Sequence, residues 1–100
     1  MARPAINKSD LMLKIADRLH IDPKLAEETV RVILDKMVNS LADGDRIEIR
    51  GFGSFEVRYR EPRQARNPKT GETVYTDGKY TVHFKPGKEL RDRMNESMQS

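Results

Sequence analysis

Four arginines and a lysine, Arg58, Arg60, Arg63, Arg66 and Lys69, fall within twelve residues that hold a single acid, Glu61. Guanidinium groups are planar, permanently charged forks that suit phosphate oxygens and the edges of a narrow groove. The chemistry open to this cluster is therefore recognition of a polyanion. The plain alternative is a charged sheet face that discourages edge-to-edge pairing. Other chemistry has little to work with. His20 and His83 lie 63 positions apart, with no metal-ligand spacing around either. Cysteine is absent, which removes thiolate catalysis, disulfides and Cys-ligated zinc and fits a reducing compartment. Most carboxylates alternate with Lys or Arg, the pattern of solvated helix faces. Gly51-Phe52-Gly53 lacks the third glycine and the following helix of a dinucleotide site. A non-enzymatic protein without metal or cofactor is expected.

The charge is unevenly placed along the 100 residues. Residues 1–44 carry seven basic and seven acidic side chains, whereas residues 45–100 carry twelve and nine, the whole net +3. Apolar residues are uneven too. Residues 61–79 contain three hydrophobics, Ala65, Val74 and Tyr75, too few to build a core. One domain over residues 1–100 is expected, a compact body with a basic projection. No run of about 18 apolar residues is present, so no membrane-spanning helix is expected, and the first residues lack the apolar stretch of a secretory signal.

The elements follow from periodicity. Ser9 reads as an N-cap, and Leu11, Met12, Ile15, Ala16 and Leu19 form an amphipathic stripe closed by His20-Ile21. Asp22 caps a second helix with Pro23 at its first position. Its wide apolar face runs from Ala26 through Val30, Ile33, Leu34, Met37 and Val38 to Leu41, and Gly44 stops it after about 20 residues. The period then switches to two. Ile47 and Ile49 share one face, opposite Arg46, Glu48 and Arg50. After a hairpin at Phe52, Phe55, Val57 and Tyr59 point inward while Glu56, Arg58 and Arg60 point outward. Residues 61–79 turn at Asn67-Pro68 and Gly71, so a projecting two-stranded ribbon is expected, ordered by a partner. Tyr80 to Phe84 returns as a strand that Pro86-Gly87 breaks, and a final helix runs from Lys88 to about Asn95. The fold class is α+β: a helical hairpin base, a three-stranded antiparallel sheet with a long β-ribbon arm, and a short C-terminal helix. Pro68 at the basic tip reads equally as a turn former and as a wedge between stacked bases.

Three runs carry a resemblance: Arg46 to Phe55, Arg66 to Gly71, and His83 to Arg93. Together they resemble the bacterial HU/integration host factor family of DNA-bending proteins over nearly the whole chain, and within it the integration host factor branch. The resemblance implies an intertwined dimer whose sheets form a saddle, each extending one arm along the minor groove of double-stranded DNA. It places the intercalating residue at Pro68, with Arg66, Asn67 and Lys69 beside it. Arg50 with Glu48 would support sequence preference, and Lys85 to Lys88 would offer phosphate contacts. Arg46, Arg58, Arg60, Arg63 and Lys79 complete the expected DNA surface, while Phe52 and Phe55 match dimer-core aromatics. The partner subunit would be a second copy or an alpha-type chain. The implied setting is the cytoplasmic nucleoid, in DNA condensation, recombination, replication and transcription control. One departure is Ala65, where the family often has glycine, and residues 1–6 extend beyond the usual start.

Dimerisation also follows from size. A body of 81 residues buries roughly 60% of its unfolded surface, and the second helix with Phe52 and Phe55 offers more apolar area than one first helix covers. An HU-type protein without sequence preference is the alternative within the family. An RNA-binding domain would expose stacking aromatics on its sheet, which the inward parity of Phe55 and Tyr59 disfavours. A general protein-interaction dimer is the third reading.

Overall fold

The computed structural model describes residues 3–99 and resolves into two units, one up to Asn39 and one from Ser40 onward. In the first, α1 spans Lys8–Leu19. Its N-cap is Asn7 and not the expected Ser9. Asn7 Oδ1 accepts from the Asp10 amide at 2.9 Å, and Asp10 Oδ2 accepts from the Asn7 amide at 3.1 Å. That reciprocal box satisfies two donors at the helix start, while Ser9 already lies in the first turn. His20 closes α1 in the left-handed region, with φ of 54°. The second helix, α2, spans Pro23–Ala42, and its 20 residues match the expected length. Asp22 Oδ1 accepts from the Lys24 amide at 2.8 Å, so the cap stands where it was read. Gly44, with φ of 88°, follows as the stop.

Among the described residues the buried hydrophobics are small: Ala16, Ala26 and Val30. Ile33, Leu34 and Val38, all on the apolar face read from the sequence, are exposed in the single chain.

The second unit holds the strands: β1 (Ile47–Ile49), β2 (Gly53–Arg60), β3 (Arg63–Arg66), β4 (Thr73–Thr76) and β5 (Lys79–Pro86), then α3 (Lys88–Gln99). One antiparallel sheet has the order β1-β2-β5, and β3-β4 form a separate two-stranded ribbon inside the expected 61–79 segment. β1 is shorter than the alternation suggested, because the hairpin turn takes Arg50. The Phe52 amide donates back to Ile49 O at 3.0 Å, and Gly51 adopts φ of 83°. A side chain at Gly51 would be strained by that angle, which is what calls for glycine; the Glu89 Oε2 it would meet at 2.8 Å is the end of a flexible side chain.

Two further boundaries differ from the sequence reading. β5 runs two residues past Phe84 to Pro86, which pairs with Gly53, and ends at the Pro86-Gly87 break as read. A proline lacking its N–H is tolerated at a strand terminus. Helix α3 continues to Gln99, four residues past Asn95, since Glu96, Met98 and Gln99 are good helix formers and no breaker intervenes.

Register assigns the faces. Directly opposed residues of antiparallel strands share a face. Ile47–Phe55–Phe84, Val57–Val82 and Tyr59–Tyr80 form the apolar face. Its centre is an aromatic triad, with Phe55 and Phe84 ring centroids 4.8 Å apart and Phe52 at 5.3 Å from Phe84. Tyr59 departs from its inward reading: it is 52% exposed and Tyr80 is 74% exposed. β1 pairs only with Gly53 to Phe55, so the sheet is two strands wide at the tyrosines.

Candidate nucleic-acid interface

The opposite face of the sheet collects the charges. Its cross-strand rows are Glu48–Ser54–Lys85, Glu56–His83, Arg58–Thr81 and Arg60–Lys79. Alternation along the strands is what puts them there, since all but Ser54 and Lys79, which follow glycines, come after an apolar or aromatic residue turned to the other face. Arg58 Nε donates to Glu56 Oε1 at 3.3 Å, with both side chains about half exposed. Arg60 and Lys79, the last pair before the ribbon, have no ion-pair partner among the described residues.

Residues far apart in sequence meet at the other end of this sheet. An open groove of about 360 Å³ is lined by Arg46, Glu48, Arg50 and Ser54 from β1, its turn and β2, and by Lys85, Lys88 and Arg91 from β5 and α3. It therefore brings together five of the expected site residues. The Gly87 amide donates to Phe52 O at 2.9 Å, and the Arg91 amide to Gly87 O at 3.0 Å, tying the start of α3 to the hairpin. Five cations stand around one lining carboxylate, Glu48. Arg91 and Ser54 were missed by the sequence reading. Arg91 could have been found, because it lies three residues after Lys88 and so shares its helix face. Ser54 required the register.

The ribbon carries the rest. Arg63 pairs with Thr76 and Arg66 with Thr73, so these two arginines lie on opposite faces of the ribbon. All four residues of β3 are exposed. At the tip, Asn67 Oδ1 accepts from the Lys69 amide at 2.9 Å, and the Asn67 amide donates to Glu72 O at 2.7 Å. The Gly71 amide returns to Asn67 O at 2.7 Å. Asn67 thus holds Pro68 exposed at the apex. Among the described residues no group of three or more His, Cys, Asp or Glu side chains is placed to hold a metal, and no helix is long and apolar enough to cross a membrane.

An exposed cationic sheet face running into a basic ribbon defines a polyanion-binding module of the α+β class. The particular family is settled by comparison. The family model for bacterial DNA-binding proteins matches residues 6–95, and the chain belongs to that family, the HU and integration host factor proteins. Integration host factor subunit beta of Colwellia psychrerythraea is 56% identical over 94 residues, covering 93% of this chain and 99% of that one. The same subunit of Pseudoalteromonas translucida is 57% identical over the same share of each chain. Among solved structures, the HU protein of Anabaena cocrystallised with DNA superposes with a TM-score of 0.79 at 32% identity, covering 88% of this chain and 96% of that one.

Proposed function

We infer that this chain is one subunit of an architectural protein that binds duplex DNA in the minor groove and bends it sharply. The observation that carries this reading is the register of β2 with β5, which sets Arg58, Arg60, Lys79 and Lys85 on one exposed face leading into the ribbon. Family membership supports the architectural role. The family match over residues 6–95 crosses both units and supports reading residues 1–100 as one DNA-binding domain.

Each group then has a task. Arg46, Arg50, Lys85, Lys88 and Arg91 take phosphates at the body, with Arg58, Arg60 and Lys79 extending the track. Arg63, Arg66, Asn67 and Lys69 follow the groove along the ribbon, and Pro68 enters a base step at its tip. Unstacking a step costs on the order of a few kcal/mol, and the bend offsets it by laying more DNA on the protein. Arg50 beside Glu48 adds sequence preference to what deformability supplies. The exposed Ile33, Val38 and Phe52 are covered by a second subunit, an alpha-type chain or another copy of this one. Its place in the cell is the nucleoid.

On the sheet, the exposed Tyr59–Tyr80 pair is the feature that favours RNA. The two rings meet edge-on at 5.0 Å, and register sets them on the face opposite the cations. Stacking and phosphate contact on one strand would need both on the same side.

The test is a gel-shift and end-to-end FRET series on specific and random duplexes at two salt concentrations. If about six phosphates are neutralised per subunit, log K falls with log salt at a slope near −5. High FRET in the bound duplex is expected. A flat salt dependence would point to a protein-interaction module, and an unbent duplex would remove the architectural role.

A further inference from the structure

The sheet and the ribbon are not continuous. The last pair of the sheet is Arg60–Lys79 and the first pair of the ribbon is Arg63–Thr76. Glu61 and Pro62 on one side, and Asp77 and Gly78 on the other, make no ladder pair between them. Pro62 has no N–H to donate, so the ladder cannot simply close across the gap. Such a break in a two-stranded connection is a hinge unless something fills it.

Tyr59 fills it. A Cβ built on Gly78 would fall onto the Tyr59 hydroxyl, 2.7 Å from Tyr59 Cζ and 3.1 Å from Pro62 Cδ. Gly78 is not among the residues with positive φ, so its backbone would accept any side chain. What excludes a side chain there is space occupied by the tyrosine. The ring is braced from behind by Tyr80, its cross-strand partner, edge-on at 5.0 Å.

We propose that Tyr59, seated against Gly78 and Pro62 in the break between sheet and ribbon, is the positioning residue of the arm. It acts as a chock that fixes the direction in which the ribbon leaves the body. A rigid aromatic ring suits this task because it has only two side-chain torsions to order. The hinge would otherwise swing on the four unpaired residues. The proposal rests on reading the ribbon as the DNA-clasping arm. Tyr59 touches no DNA in this scheme, and it governs how far a bound duplex is bent more than whether it binds.

The test reads arm direction first, without DNA. The chain has no cysteine, so spin labels at Thr70→Cys in the tip loop and Asp92→Cys on α3 report one distance by pulsed EPR, with labelled chain diluted in unlabelled. A narrow distribution is expected for the parent protein. Gly78→Ala should shift its mean by several ångströms or broaden it, and Tyr59→Leu should broaden it with the unfolding midpoint of the body little changed. In the Tyr59→Leu background, Gly78→Ala should add almost nothing, since the space is already free. The same substitutions should lower FRET-measured bending severalfold while low-salt affinity stays within about threefold. An unchanged distribution in both single variants overturns the proposal, as does an equal effect of Gly78→Ala in the two backgrounds. A parent protein that leaves DNA straight would instead remove the functional reading, with the EPR result standing separately.

Discussion

Arg60 of β2 stands directly opposite Lys79 of β5, two cations facing each other across the last pair of the sheet. Like charges in that relation destabilise an antiparallel pair, by roughly a few tenths of a kcal/mol up to about 1 kcal/mol. A fold selected for stability alone would place an acid at one of the two positions. The arrangement is explained by a polyanion that neutralises both.

Lys79→Glu should accordingly separate stability from binding. With a carboxylate opposite Arg60 in place of the ammonium, stability is expected to rise slightly, by about 0.5 kcal/mol. Duplex affinity should fall by tenfold or more, and the salt slope should become shallower by about one to two. Urea unfolding and gel shift on the same preparation check both halves.

Glu56→Gln works in the opposite direction. The Glu56 carboxylate holds Arg58 Nε at 3.3 Å on the sheet face proposed to bind DNA. Releasing that guanidinium should strengthen low-salt binding a few-fold and steepen the salt slope by about one. Weaker binding by the variant would mean that the ion pair orients Arg58 for its contact.

Pro68→Ala should uncouple bending from binding. Asn67 still closes the tip through the Lys69 and Glu72 bonds, so the turn persists without the proline. FRET-measured bending should fall markedly while affinity drops less than tenfold. Undiminished bending would refute the wedge and leave Pro68 as a turn former.

Arg50→Ala should act on selectivity. Arg50 lines the groove beside Glu48, away from the ribbon. The affinity ratio between preferred and random duplexes should narrow by a factor corresponding to about 1 kcal/mol or more. An unchanged ratio would favour the HU-type reading without sequence preference.

The aromatic triad predicts a dependence on association. Phe84 packs 4.8 Å from Phe55 yet remains 36% exposed in the single chain. If a second subunit covers it, Phe84→Ala should cost about 3 kcal/mol, and Phe84→Leu less than about 1.5 kcal/mol. Both losses should grow on dilution in unfolding experiments run at several protein concentrations.

Much of this molecule is legible before it folds. Asp22-Pro23 and Gly44 bracket α2 because capping and left-handed stops depend on neighbours one or two residues away. The ribbon is visible as a stretch too poor in apolar residues to be anything else. The failures are equally local. Ser9 and Asn7 are both good caps, and only the reciprocal bond with Asp10 chooses between them. Tyr59 has inward parity, but parity assigns a face and not what covers that face. Arg91 and Ser54 join the groove through the starts of α3 and β2, which meet only in space.

By itself the sequence determined the element types, the charge separation between a neutral helical region and a basic sheet and ribbon, and the family. These depend on periodicity, local backbone preference and composition, all of which are properties of neighbouring residues. The tertiary structure decided the register. Register opposes Arg60 to Lys79, aligns Glu48, Ser54 and Lys85 across three strands, and leaves Gly78 as the space for Tyr59. The reason is that a one-residue slip of β5 against β2 would send Lys79 and Lys85 to the other face, away from Arg60 and Ser54, and that choice is made by the packing of Phe52, Phe55 and Phe84, residues up to 32 positions apart.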